Sequence, residues 1–200
     1  PYLWRLIEAD APRLLRLLAQ DPSATIEEIS ERLMALGHSA DVDAVMRGLR
    51  LAKQEAALVI ALADLGGVWD AVEVTYALSR FADDAVACAL SHLLREADAA
   101  GRLTLPDRDA PQKGCGLVIL ALGKHGAREL NYSSDVDLVV FFDPDAPAAP
   151  EGGAQSVYVR IVRNIVKLLQ ERTEDGYVVR VDLRLRPDPG STQVAVSLPA

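Results

Sequence analysis

LVILALGKHGARELNYSSDVDLVVFFDPD, residues 117–145, is the stretch whose reading decides the fold. Leu117–Leu122 and Val136–Phe142 are short apolar runs, rich in β-branched residues and bounded by turn formers, which predicts two buried strands. Gly123-Lys124 turns the chain out of the first run, and about one helical turn is expected within 126–131. Ser133-Ser134-Asp135-Val136-Asp137 opens the second run. A strand repeats every two residues, so Asp135 and Asp137 share a face. Two ionised carboxylates there repel each other and invite a cation between them, and hard oxygen ligands suit Mg²⁺ or Mn²⁺. Repulsion should then raise the pKa of at least one acid in a metal-free site. A lone D-x-D is a weak signal that more often marks a solvated strand end.

A second segment adds weight. YVVRVDLRLRP, residues 177–187, alternates strictly. Val179, Val181, Leu183 and Leu185 fall on one face; Arg180, Asp182, Arg184 and Arg186 fall on the other, with Pro187 ending the strand. If this strand pairs beside Val136–Phe142, Asp182 joins Asp135 and Asp137. Three carboxylates flanked by arginines form a site for metal-bound phosphates. Arg184 and Arg186 are the expected phosphate-side cations, and Arg180 the weaker candidate. The Gly123-Lys124 turn is not a P-loop, because His125 stands where that motif needs Ser or Thr. Its backbone amides, with Lys124, are candidates to receive phosphate oxygens, as are Ser133 and Ser134; the serines also read as ordinary turn residues.

Gly-Lys, a spacer, Asp-x-Asp and a later strand Asp together resemble the nucleotidyltransferase superfamily of the DNA polymerase β type. The fuller wording, GKHGARELNYSSDVDL followed by RVDLRLRPDPG, is similar to a narrower group: the bacterial glutamine synthetase adenylyltransferase/adenylyl-removing enzymes, which carry two such domains in one chain. His125-Gly126-Ala127 departs from the Leu-Gly-Gly that the family more often shows. The resemblance implies catalytic and metal-binding roles for Asp135, Asp137 and Asp182, with Mg²⁺ or Mn²⁺ as cofactor. It implies nucleotide or phosphate binding by Gly123, Lys124, Ser133, Ser134, Arg184 and Arg186. Glutamine synthetase would be the protein substrate, ADP or ATP and phosphate the small ones, and the PII signalling protein a possible partner. The wording is closer to the N-terminal half, which removes AMP from a tyrosine by phosphorolysis. The alternatives are the adenylylating half, a non-catalytic nucleotide- or PII-binding module, and a small-molecule nucleotidyltransferase of the antibiotic-modifying type. The resemblance also implies further helices after Ala200, so a fragment of a longer protein is expected.

Outward from these motifs the pattern becomes helical. The expectation is an α+β chain: a helical bundle over residues 1–105, then a small mixed-sheet nucleotidyltransferase core over 113–200. Tyr2–Gln20 reads as one helix or two short ones, with Pro12 at a boundary. Thr25 and Glu28 fit a capping box for a helix ending near Leu36. Asp41 or Asp43 caps the next, to about Asp64, and Trp69 to Ala100 is one long helix or a kinked pair. A loop to Gly153 is expected to be mobile, and Gln155–Arg172 to be a helix. The apolar fraction, 50 %, suffices for a core. No apolar run approaches a membrane span, and the first residues do not resemble a secretory leader. Cys88 and Cys115 match no metal or redox spacing, which suits reduced thiols and a cytoplasmic setting. The net charge of −8 is uneven: residues 1–112 hold eleven Lys/Arg against eighteen Asp/Glu. Without a basic stripe, nucleic acid is an unfavourable partner.

Overall fold

The N-terminal helices are set by their caps. The computed structural model describes residues 2–198 apart from 187 and 189, so the expected strand end at Pro187 lies outside the described residues. Helices α1 (Tyr2–Ala9) and α2 (Ala11–Ala19) are separated by Asp10, whose carboxylate accepts the Arg13 amide, with Pro12 in the first turn. Helix α3 (Pro22–Leu36) starts three residues before the expected Thr25 cap. Asp21 caps it through the Ala24 amide, because a proline after the cap residue is pre-set for the first helical position. Thr25 is buried inside the helix, with its hydroxyl donating to the Asp21 carbonyl. Asp41 caps α4 (Val42–Leu65). Asp70 and Glu73 form a full capping box for α5 (Ala71–Ala99), which runs unbroken past Phe81. No described helix is long and apolar enough to cross a membrane.

The sheet follows. Strand β1 (Leu117–Ala121) leads through the single turn α6 (Gly123–Gly126) to β2 (Val136–Phe142), and the two strands pair antiparallel. Helix α7 (Ala154–Gln170) crosses over, and β3 (Val181–Asp182) returns parallel to β2. A further two-residue strand, β4 (Val196–Ser197), pairs parallel with the far end of β2. Helix and mixed sheet together make the chain α+β. The two faces of the sheet are unequally covered. Val136, Leu138, Val140 and Phe142 are buried against the helices, with the Phe142 ring 5.0 Å from that of Tyr158. Val118 and Leu120, on the other face of the edge strand, are exposed, so β1 is half-buried where a buried strand was expected. In the loop to Gly153, Ala148 is buried and its amide donates to the Gly114 carbonyl. Both cysteines are free and buried, and burial pushes the Cys88 thiol up to about 12.

The helices and the sheet share one apolar core. Within it a polar seam joins α4 to the chain that leads into β3. Arg50 is 0 % exposed, and among the described residues it forms no ion pair with a carboxylate. It donates to the carbonyls of Met46 (2.7 Å), Leu168 (3.2 Å), Gly176 (2.9 Å) and Glu171. One side chain thus closes the unpaired carbonyls at the end of α7 and fixes the turn beyond it. Lys53 and Gln54, on the same face of α4, donate to the carbonyls of Val178 and Asp175, each at 3.1 Å.

Candidate active site

Register brings the site together. Asp137 and Asp182 are direct partners across the parallel β2–β3 pair, so their Cα atoms stand about 5 Å apart and their side chains share a face. The ladder continues one step back, with the Val136 amide donating to the Arg180 carbonyl at 2.8 Å. Asp135 therefore lies beside Arg180, two residues from Asp137 and on its face. Leu122, at the end of β1, is held by a bond from its amide to the Asp137 carbonyl. This places Gly123 against the acid. Gly123 has φ +56°, and a Cβ there would stand 2.6 Å from Asp137 Oδ2. Only glycine gives both the left-handed turn and the close approach. Lys124 follows, exposed, on α6.

Two arginines occupy the acids. Arg184 grips Asp182 with Nε at 2.9 Å and Nη2 at 2.5 Å from Oδ2, and its own amide donates to Oδ1 at 2.8 Å. Hydrogen bonds from Arg184 hold the Asp182 carboxyl below the usual carboxylate range, the reverse of the rise expected from repulsion. The Arg184 guanidinium's pKa is in turn raised, first by its bond to Asp182 and to a smaller degree by the charges of Asp135 and Asp137. Arg180 donates through Nε to Asp135 Oδ1 and through Nη2 to the Ser133 carbonyl, each at 2.5 Å. It stands closer to the acids than its ranking as the weaker candidate implied. The described bonds of Arg186 go to the carbonyls of Leu183 (2.5 Å) and Thr192 (3.3 Å).

The expected strand over 177–187 is cut short for a local reason. The bond from the Arg184 amide to the Asp182 side chain is an Asx-type turn, which takes the backbone out of the ladder. Among the described residues of the segment the paired strand is Val181–Asp182, and Leu185 is exposed, although alternation put it in the core.

The donor set suits a hard cation: three carboxylates on one face, no histidine or thiol among them, and a glycine where a side chain would crowd Asp137. Among the described residues Asp137 accepts no side-chain hydrogen bond, while Asp135 and Asp182 are engaged by arginines. With the side chains so paired, no group of three or more His, Cys, Asp or Glu among the described residues is closed tightly enough to hold a metal. The charge that would otherwise fall to a cation is carried by Arg180 and Arg184.

Several supporting residues escaped sequence reasoning. The segment 123–134 is fastened to the helices at four points. His125, buried, has Nε2 2.8 Å from Asp83 on α5. Arg128 pairs with the same carboxylate and lies over the Tyr76 ring. The Leu130 amide donates to Ser79 at 3.2 Å, and the Tyr132 hydroxyl donates to Asp64 at 2.7 Å. Desolvation raises the Asp83 carboxyl, but His125 and Arg128 outweigh it and the net shift is downward. For Arg50 and Lys53 a signal existed: charges at i and i+3 beside the buried positions Leu49, Ala52, Ala56 and Ala57 of α4. For Asp83 and His125 there was none, because the pairing spans 42 residues without a pattern.

A family model described as glutamate-ammonia ligase adenylyltransferase matches residues 4–200. Over the whole chain, 54 % of residues are identical to the bifunctional glutamine synthetase adenylyltransferase/adenylyl-removing enzyme of Xanthobacter autotrophicus. Over 98 % of the chain, 53 % are identical to the enzyme of the same name from Bradyrhizobium diazoefficiens. The matched part is 20 % of each relative, so the chain spans about a fifth of the length of the curated relatives it matches. The chain belongs to the glutamate-ammonia ligase adenylyltransferase family.

Proposed function

We propose that this chain carries a site that removes AMP from an adenylylated tyrosine of glutamine synthetase, with phosphate as the acceptor and ADP as the product. The observation that carries the reading is the register of Asp137 with Asp182, which sets Asp135, Asp137 and Asp182 on one open face beside Arg180 and Arg184. The choice of removal over addition rests on the wording Asn131-Tyr132-Ser133-Ser134 and Asp182-Leu183-Arg184-Leu185-Arg186, which resembles the removing half. The chemistry of the acids serves either direction.

Asp135, Asp137 and Asp182 would hold Mg²⁺ or Mn²⁺, which supplies charge neutralisation at the α-phosphate and the leaving oxygen. The chain's own residues do the rest. A phosphate oxygen attacks the α-phosphorus in line, the bond from phosphorus to the tyrosine oxygen breaks, and that oxygen leaves as a phenolate that takes a proton from water. Arg184 keeps Asp182 ionised, which fits a ligand and disfavours a proton donor. Arg180 and Arg184 lie on the acids' face and can pass from carboxylate to phosphate oxygens, for which the guanidinium fork is equally suited. Lys124, exposed on the turn after Gly123, adds a third cation.

The test is to incubate the protein with adenylylated glutamine synthetase, Mg²⁺ or Mn²⁺, and phosphate. ADP is expected only when phosphate is present, and the pair Asp135→Asn and Asp137→Asn should abolish it. Transfer of AMP from ATP to unmodified glutamine synthetase, without phosphate-dependent release, would refute the direction proposed.

A further inference from the structure

We propose that Lys53, together with Arg180 and the Ser133-Ser134 segment, forms a subsite for a small oxyanion, inorganic phosphate, next to the carboxylates. As an anion site it stands on its own geometry. As the place from which the attacking phosphate is supplied, it rests on the phosphorolysis reading above.

Lys53 projects from α4, outside the sheet region that carries every motif of the site. It lines a small cavity with Ser133, Ser134, Tyr177 and Arg180, closed on the other side by apolar residues of α4 and α5. Its Nζ donates to the Val178 carbonyl at 3.1 Å, and an ammonium has two further N–H groups to place. Among the described residues no carboxylate lies within ion-pair distance of it. The charge it does face is of like sign: burial pushes the Lys53 ammonium's pKa down, and Arg180 adds to that push. An ammonium partly buried beside the guanidinium of half-exposed Arg180 is costly unless an anion joins them. Asp135 offsets only Arg180, by the 2.5 Å pair. Lys53 remains without a counter-charge.

The room decides the class of anion. The cavity is about 40 Å³, enough for roughly three water-sized groups and far too small for a nucleoside. The polar part of the lining carries donor-bearing side chains: Lys53, Arg180, Ser133 and Ser134. An ion with several acceptor oxygens uses such a set best. Arg180 links the cavity to Asp135, so an anion held there lies at the edge of the catalytic acids.

The experiment measures binding of inorganic phosphate by calorimetry, without divalent ions, to the wild-type protein, Lys53→Met, Lys53→Arg and the Asp135→Asn/Asp137→Asn pair. The expectation is that Lys53→Met weakens phosphate about tenfold or more, as loss of one charge-assisted contact should. Lys53→Arg keeps the positive charge and should retain more of the affinity than Lys53→Met. The acid pair should leave binding intact or strengthen it. In the ADP-forming assay, Lys53→Met should raise the KM for phosphate more than it lowers kcat. Wild-type phosphate affinity in a correctly folded Lys53→Met protein would overturn the proposal. So would equal loss in Lys53→Arg, which would make the residue a strut for Val178. If phosphate binding depends on Lys53 but no ADP is formed, the subsite stands and the phosphorolysis reading fails. If ADP is formed with an unchanged KM for phosphate in Lys53→Met, the reading stands and the subsite fails.

Discussion

Arg50 and Arg184 are the same residue in opposite surroundings, and the contrast separates what builds the site from what works in it. Arg50 is fully buried and bonds only to backbone carbonyls, tying α4 to the end of α7 and to the approach of β3. Carbonyls cannot move without the backbone, so its partners are fixed. The Arg184 side chain is 81 % exposed and holds a carboxylate. Its partner can be exchanged for a cation, and the guanidinium for a phosphate. The seam around Arg50 therefore sets where Asp182 stands, and the pair at Arg184 sets what Asp182 binds.

The largest expected effect tests the seam. Arg50→Met should cost about 3–5 kcal/mol of stability, because it leaves several buried carbonyls unpaired at once. Urea unfolding followed by circular dichroism gives the number. A loss under about 1 kcal/mol would mean that α7 and the β3 approach hold their places without Arg50, and the contrast drawn here would break.

Gly123→Ala comes next and lies between the two regions. Forcing a Cβ into φ +56° costs about 1–3 kcal/mol, and that Cβ would meet Asp137 Oδ2 at 2.6 Å. Stability should fall by about that amount, and Mn²⁺ affinity, read by paramagnetic resonance, should fall with it. Lower stability with unchanged Mn²⁺ affinity would show that Asp137 is not a ligand.

Arg184→Gln should be nearly silent in stability. An exposed pair is worth about 0–1 kcal/mol, and melting should shift little. Affinity for nucleotide or phosphate should fall clearly. Early melting with normal binding would place Arg184 with Arg50, as part of the frame.

How much of this was legible in the sequence follows the range of the forces. Both long strands were legible as short apolar runs between turn formers, and α7 as a period-3.6 run. The meeting of Asp137 with Asp182 was legible only on the condition that the two patterned segments pair, and the β2–β3 register meets that condition. The strand over 177–187 was over-read, since alternation says nothing about an Asp side chain capturing the amide two residues on. Strand β4 is two residues long, too short to have a pattern. The frame itself, Arg50 with Lys53 and Asp83 with His125, is made of contacts between distant segments, and one sequence does not record which distant residues meet.

The smallest expected effect concerns how the segment 123–134 is held to α5. The Asp83 carboxylate lies 2.8 Å from His125 Nε2 and pairs with Arg128. Burial raises its carboxyl, but these partners lower it more, so its folded pKa lies below the ordinary value. For an acid depressed on folding, the contribution to stability is fully present above the unfolded pKa, about 3.9, and is lost as pH falls through the folded value. The fastening should therefore be intact near neutrality and weaken only in acid, below about pH 4. The Asp83 side chain is 37 % exposed, so solvent screening limits the contribution to about 1 kcal/mol or less. Hydrogen exchange at the amides of residues 124–130, followed as pH is lowered, should show protection lost in that window before global unfolding. Asp83→Asn should lack the transition and show lower protection at neutral pH, while the seam at Arg50 and the β2–β3 register remain as in the wild type. If wild type and Asp83→Asn lose protection over the same pH range, the segment is held by Ser79 and Tyr132 instead, and the acid pair is incidental to the site.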